Sequence, residues 1–188
     1  MRFTSLAGSD AKLIDLQVHG DKRGFFARTW CADLFHEAGL NFEPVQGNMS
    51  MTKARGAIRG MHFQRDPQAD AKVVRCSFGR IYDVIVDLRV HSNTRGEAFQ
   101  VELDGEGAQM LFIPEGFAHG FQTLTDNVIV EYLMGAPYVP SLYDGARFDD
   151  PLLAIQWPEP VGEVSENDRR WPNLADRMPW LKHSVMPC

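Results

Sequence analysis

His62 is the residue on which a chemical reading of this sequence turns. It stands in an apolar setting, Met61-His62-Phe63, inside residues 53–75, KARGAIRGMHFQRDPQADAKVVR. There Lys53, Arg55, Arg59, Arg65, Lys72 and Arg75 outnumber Asp66 and Asp70, an excess of four positive charges in a chain of net charge −6. Charge alone leaves two readings open. One is a solvated face that balances acids elsewhere. The other is a pocket for a compact polyanion such as a diphosphate, gripped by forked guanidinium donors beside a more apolar slot. In the second reading His62 is a titratable group held near a phosphorylated ligand.

A chain of 188 residues, 44% of them hydrophobic, can bury one substantial core, so a single domain spanning 1–188 is expected. The acidic balance argues against a general binder of nucleic acid or membrane surfaces, which needs a broad basic face. Cys31, Cys76 and Cys188 are odd in number, widely spaced and match no metal-ligand pattern. They read as reduced thiols of a cytoplasmic protein. Asp10, Lys12 and Asp15 interrupt any signal-peptide core, and no apolar run approaches membrane-spanning length.

The elements that must position His62 are mostly strands. Residues 12–18 have the mixed alternation of a short strand, and Gly20 and Gly24 supply turn chemistry before Phe25-Phe26. Residues 30–39, WCADLFHEAG, place Leu34, Phe35 and Ala38 on one helical face, with Gly39 as a stop. That is the one convincing helical pattern. Short runs rich in Val, Ile and Phe follow at 73–78, 81–88, 98–103, 109–113 and 128–134, split by closely spaced glycines. This is the pattern of an antiparallel sandwich or barrel, and no strand-helix-strand alternation supports a parallel sheet. Residues 81–88, IYDVIVDL, should form a central strand whose Asp83 and Asp87 need partners. Eight of the 11 prolines fall at or after position 137, predicting irregular chain wrapped over the barrel and anchored by Phe148, Trp157, Trp171 and Trp180.

Residues 113–119, IPEGFAH, match one half of the metal motif of cupin barrels, a turn of Pro-x-Gly-x-x-His feeding a strand. The other half, a paired His-x-His followed by Glu, is missing: His62 is followed by Phe63-Gln64. Two histidines without a carboxylate would leave a metal under-coordinated, so no metal is expected.

A larger set of motifs occurs in order: DKRGFF (21–26), VQGNMS (45–50), RGAIRGMHFQ (55–64), KVVR (72–75), DVIVDLR (83–89), IPEGFAHGFQTL (113–124), Tyr132 with Tyr138, and SENDRRWP (165–172). From about residue 21 to about residue 172 the chain resembles the dTDP-4-dehydrorhamnose 3,5-epimerase family of metal-free cupins. The resemblance implies an all-β, cupin-type jelly-roll barrel with a short N-terminal helix and an irregular C-terminal segment. It implies a cytoplasmic homodimer with exchanged N-terminal strands, no cofactor, and a nucleotide-diphosphate sugar as ligand. The reaction inverts C3 and C5 of a 4-keto-6-deoxyhexose, whose keto group acidifies the neighbouring C–H bonds by forming an enolate. Such a reaction needs a base on one face, an acid on the other and a donor or cation at the keto oxygen.

By the same resemblance His62 matches the base, Asp168 its orienting acid and Tyr132 the opposite-face proton donor. Lys72 and His119 match residues near the keto oxygen, Arg59 a diphosphate ligand, and Arg23, Gln46 and Asn48 residues near the nucleotide. Tyr138 joins the sugar-nucleotide site. The chain departs from the family pattern at Arg28 and Tyr143, each where Glu is usual, and at Asn167, where Lys is usual. Arg28 and Tyr143 fall in segments near the nucleotide or pocket rim and count among the binding candidates, and their change bears on which base and sugar are bound. Each residue also has a structural reading. His62 could be a core histidine, Tyr132 ordinary core, Lys72 a strand-edge lysine and Asp168 a helix cap. Asp83 could hold His119 in one tautomer. Rival functions sharing these motifs are a single-centre epimerase on a dTDP-, CDP- or GDP-linked sugar, a metal-dependent cupin using His62 and His119, and a non-catalytic sugar-nucleotide-binding cupin.

Overall fold

The computed structural model describes residues 1–183. Its elements run β1 (Arg2–Ser5), β2 (Lys12–Asp15), β3 (Val18–Asp21), β4 (Gly24–Ala27), α1 (Ala32–Glu37), β5 (Gln46–Thr52), β6 (Ile58–Gln64), β7 (Lys72–Phe78), β8 (Arg80–Asp87), β9 (Ala98–Asp104), β10 (Gln109–Ile113), β11 (Phe117–Thr123), β12 (Val128–Met134), β13 (Tyr143–Gly145), α2 (Glu166–Arg170) and α3 (Leu174–Arg177). A 3₁₀ turn, Pro179–His183, follows. One sheet has the order β1-β2-β10-β7-β12-β5, the other β13-β6-β11-β8-β9, and β3-β4 form a separate hairpin. All these strand pairs are antiparallel, giving the all-β jelly-roll that the short apolar runs predict.

The cores follow from which faces are apolar. Between the sheets, Val74, Ile81, Ile85, Leu103, Leu111, Phe121 and Val130 pack together with others. The outward face of β8 carries Val84 and Val86, which lie under Leu153, Leu174, Leu181, Trp157 and Trp180 of the C-terminal segment. Burial on both faces explains why this strand reads as nearly continuous apolar sequence. On the other sheet, Ile14, Val73, Met110 and Phe112 are covered by Phe35 of α1 with Leu40 and Phe42.

The two acids embedded in β8 are both fully buried and both partnered. Asp87 accepts from Arg89, Ser92 and Thr94, and Arg89 also grips Asp10, tying the N-terminal loop to this end of the barrel. The C-terminal third departs from the expected irregular chain, because it contains α2, α3 and the 3₁₀ turn. Ser165 starts α2 by accepting the Asp168 N–H at 3.0 Å, a cap that lets a five-residue helix form. Cys31 and Cys76 are free thiols, and Cys188 lies outside the described residues. Among the described residues no helix is long and apolar enough to cross a membrane.

Candidate active site

A cavity of about 1480 Å³ opens between the two sheets and the C-terminal segment. It receives His62 and Gln64 from β6 and His119 from β11 on one side, and Gln46, Asn48, Lys72 and Tyr132 from β5, β7 and β12 on the other. Asp168 and Trp171 enter from the C-terminal segment.

The two histidines face each other across the β6–β11 pair, and the register shifts immediately beyond, between His119 and Phe121. Gly60 and Gly120 make this crossing possible. A Cβ added to Gly60 would run into the Gly120 backbone and the His119 carbonyl, and one added to Gly120 would meet the Arg59 carbonyl. Glycine at a site of close backbone approach is the residue without that obstruction.

His62 Nε2 lies 2.6 Å from Asp168 Oδ1, and Asp168 Oδ2 accepts the Gly60 N–H at 3.3 Å. Burial raises the Asp168 carboxyl, but the hydrogen bond and charge of His62, the Gly60 N–H and the Ser165 hydroxyl outweigh it, leaving the group below the ordinary carboxylate value. An ionised Asp168 only accepts, so Nε2 carries the proton and Nδ1 is the lone pair of the neutral ring. That is the arrangement of an oriented general base. His119 has a parallel partner, its Nε2 lying 3.0 Å from Oδ2 of Asp83. Among the described residues the other Asp83 oxygen has no hydrogen-bond partner. Among the described residues no group of three or more His, Cys, Asp or Glu gathers as a metal-binding set.

Tyr132 projects from the opposite sheet, with Asn48 and Val74 as its strand neighbours. Burial raises its phenol above the usual value, while the charge of Arg59 pulls the other way. The group is therefore protonated at neutral pH, and a nearby cation favours its conjugate base. Both features suit a proton donor.

The basic island divides sharply. Arg55 pairs with Glu159, Arg65 with Asp144 and Arg75 with Glu131, partly exposed ion pairs weakened by solvent screening. Arg59 and Lys72 instead line the cavity. Arg59 is held by neutral groups, Thr52 Oγ1 at 2.8 Å and the Met51 carbonyl at 3.1 Å, so its charge is left for a ligand. Lys72 lies 3.3 Å from buried Asp70.

The motifs and this geometry can be set beside known proteins. A family model described as dTDP-4-dehydrorhamnose 3,5-epimerase matches residues 5–176. The enzyme of that name from Methanothermobacter thermautotrophicus is 43% identical over 96% of this chain and 98% of its own. The chain belongs to the dTDP-4-dehydrorhamnose 3,5-epimerase family. The Bacillus anthracis epimerase, solved with TDP and PPi bound, superposes with a TM-score of 0.89 at 37% identity, over 92% of this chain and 99% of that one. The Legionella pneumophila epimerase, solved with dTDP-4-keto-L-rhamnose, gives 0.84 at 34% identity over 89% of each chain.

In this member of the epimerase family, ten of the twelve candidate side chains surround one cavity: His62, Lys72, Tyr132, Asp168, Gln46, Asn48, Arg59, His119, Tyr138 and Tyr143. Arg23 and Arg28 do not join them. Arg23 sits at the exposed β3–β4 turn, paired with Asp21, and Arg28 approaches Cys31 beside a small separate hollow.

Among the cavity residues of this epimerase that were not candidates from sequence are Gln64, Asp70 and Trp171. Gln64 is buried, donates to the Gln68 and Pro137 carbonyls and accepts the Val139 N–H at 2.8 Å, while Gln46 accepts the Tyr138 N–H at 3.1 Å. Two amides thus hold the loop that carries Tyr138. Gln64 was discoverable, since it lies two residues from His62 on the same strand face. Asp70 gave no signal beyond its charge. Trp171, expected as an anchor over the barrel, lines the cavity instead.

Proposed function

We propose that this epimerase inverts C3 and C5 of a nucleotide-linked 4-keto-6-deoxyhexose, converting dTDP-4-dehydro-6-deoxy-D-glucose to dTDP-4-dehydro-L-rhamnose. The observation that carries the reading is an Asp168-oriented imidazole on one sheet and a protonated phenol on the other, both lining one cavity. His62 removes the proton beside the keto group, and the negative charge passes to the keto oxygen as an enolate. Lys72 stabilises that oxygen, and His119 lines the site beside it. Tyr132 returns a proton to the opposite face, which inverts the centre, and a second round treats the other carbon. Arg59 binds the diphosphate, and Gln46, Asn48 and Tyr138 hold the rest of the nucleotide sugar. The substrate's own ketone supplies the acidity, so the scheme calls for no cofactor.

The test is turnover of the 4-keto-6-deoxy sugar linked to dTDP, CDP or GDP. The dTDP substrate should be preferred by at least about tenfold in kcat/KM, a difference of about 1.4 kcal/mol. Preference for CDP or GDP would overturn the nucleotide assignment, and failure of all three would overturn the reading.

The homodimer belongs to the same proposal. The hairpin β3–β4 exposes 61% of Phe25 and 67% of Phe26, large apolar rings with no cover in one chain. Crossing to a second copy would bury them and carry Arg23, with Arg28 just beyond, toward the partner's cavity. Sedimentation should give twice the chain mass, and Arg23→Ala should raise KM with little change in kcat. A fully active monomer would contradict this assembly. A cytoplasmic location completes the proposal, supported by the free thiols of Cys31 and Cys76.

A further inference from the structure

We infer that Tyr143 is a positioning residue for the base, an aromatic strut that fixes the plane of the His62 imidazole. The inference rests on the base role proposed for His62 and goes beyond it. Among the described residues the His62 ring has one hydrogen bond, from Nε2 to Asp168, and a single hydrogen bond leaves the ring free to swing about that contact. Something must hold its face.

The short strand β13 is built to do so. Among the described residues it is an edge strand paired with β6 alone, with Gly145 opposite His62 and Tyr143 opposite Gln64. Tyr143 is therefore the diagonal cross-strand neighbour of His62, within reach for an aromatic side chain. Its ring centroid lies 5.4 Å from that of His62, with 43° between the planes. The Tyr143 ring also packs against Tyr138, edge-on at 5.5 Å, and Trp171 at 6.1 Å. Three aromatic neighbours, His62, Tyr138 and Trp171, thus restrict the Tyr143 ring.

The strand itself is latched from its other face. Asp144 takes Arg177 Nη1 at 2.6 Å and Arg65 Nε at 3.3 Å, and Arg177 also donates to the Gly145 carbonyl. Gly145 lacks a side chain where one is impossible, because an added Cβ would overlap the Trp171 indole. Burial first, and then the charge of Asp168, push the Tyr143 phenol well above its ordinary value. The ring next to the base is thus a neutral surface across the working pH range. It can pack against His62 but cannot compete with it for protons.

Three variants test this. Tyr143→Phe keeps the ring, whereas Tyr143→Leu and Tyr143→Met remove it while leaving the backbone pairing of β13 intact. The readouts are kcat, KM, the rate of solvent-deuterium exchange, and the ratio of inversion to exchange. Tyr143→Phe is expected within about threefold of the parent in all four. Tyr143→Leu and Tyr143→Met should slow exchange about 10- to 100-fold, with KM within threefold and the inversion-to-exchange ratio unchanged, since Tyr132 is untouched. Equal losses in Phe and Leu would make the hydroxyl the working group and overturn the inference. A change confined to KM, or none at all, would also overturn it. If Leu fails to fold, as thermal denaturation would reveal, Met carries the same comparison. Failure of the base assignment is distinguishable, because His62→Ala would then retain exchange whatever Tyr143 does.

Discussion

Replacing His62 by alanine is expected to lower both solvent-deuterium uptake into a 4-keto sugar nucleotide and product formation by about 10²- to 10⁴-fold, the usual contribution of a positioned acid or base. The two losses should be equal, because proton removal precedes every later step. The expectation follows from how much of the local structure is committed to this ring. Asp168 is fixed by the Ser165 cap and the Gly60 N–H, and it faces Nε2 at 2.6 Å. Its carboxyl is held below the ordinary value, so it remains ionised at any pH suited to assay, and Nδ1 stays available as the base. KM should change little, since ligand affinity is assigned to Arg59 and to residues flanking the nucleotide. Near-normal exchange in this variant would remove the base assignment.

Tyr132→Phe should separate two events that His62→Ala abolishes together. With His62 intact, the proton still leaves and the enolate still forms. No donor then stands on the opposite face, so the enolate is reprotonated from the His62 side, now with deuterium from solvent. Recovered substrate should carry deuterium in its original configuration, while inversion falls by about 10²- to 10⁴-fold. The phenol removed here is one that burial keeps protonated and that Arg59 helps to ionise when it acts. Inversion at the parent rate would show that water or another residue supplies the second proton.

The fold was legible where burial is one-sided or complete. The runs at 73–78, 81–88, 98–103, 109–113 and 128–134 fall on β7, β8, β9, β10 and β12, because each packs apolar residues into a core. Strand β5 escaped that criterion for a functional reason. Gln46, Asn48, Ser50 and Thr52 line the cavity, while Met49 and Met51 point outward, 68% and 46% exposed. Its alternation is inverted, polar inside and apolar outside, as suits a strand lining a wet pocket. Strand β6 was hidden by Arg59 and Gly60, one needed for charge and the other for close approach.

The site was less legible than the barrel. An isolated His62 or Tyr132 reads as ordinary core, and Asp168 lies 106 residues from the histidine it orients. No periodicity links positions so far apart, so the roles came from the ordered set of motifs and the pairing from the fold. Residues such as Gln64 and Trp171, which hold or enclose rather than react, carry no chemical signature of their own. They become visible only when the loop and the rings they touch are in place.

Proton removal and return at two carbons flanking one ketone is the central chemical claim. It is tested most directly by NMR of the dTDP-linked 4-keto-6-deoxy-D-glucose incubated with the enzyme in heavy water, which counts exchanged positions and reports configuration together. Deuterium at both C3 and C5, in a product of L-rhamno configuration, is the predicted result. Product that forms without deuterium, or deuterium and inversion confined to one carbon, would contradict it.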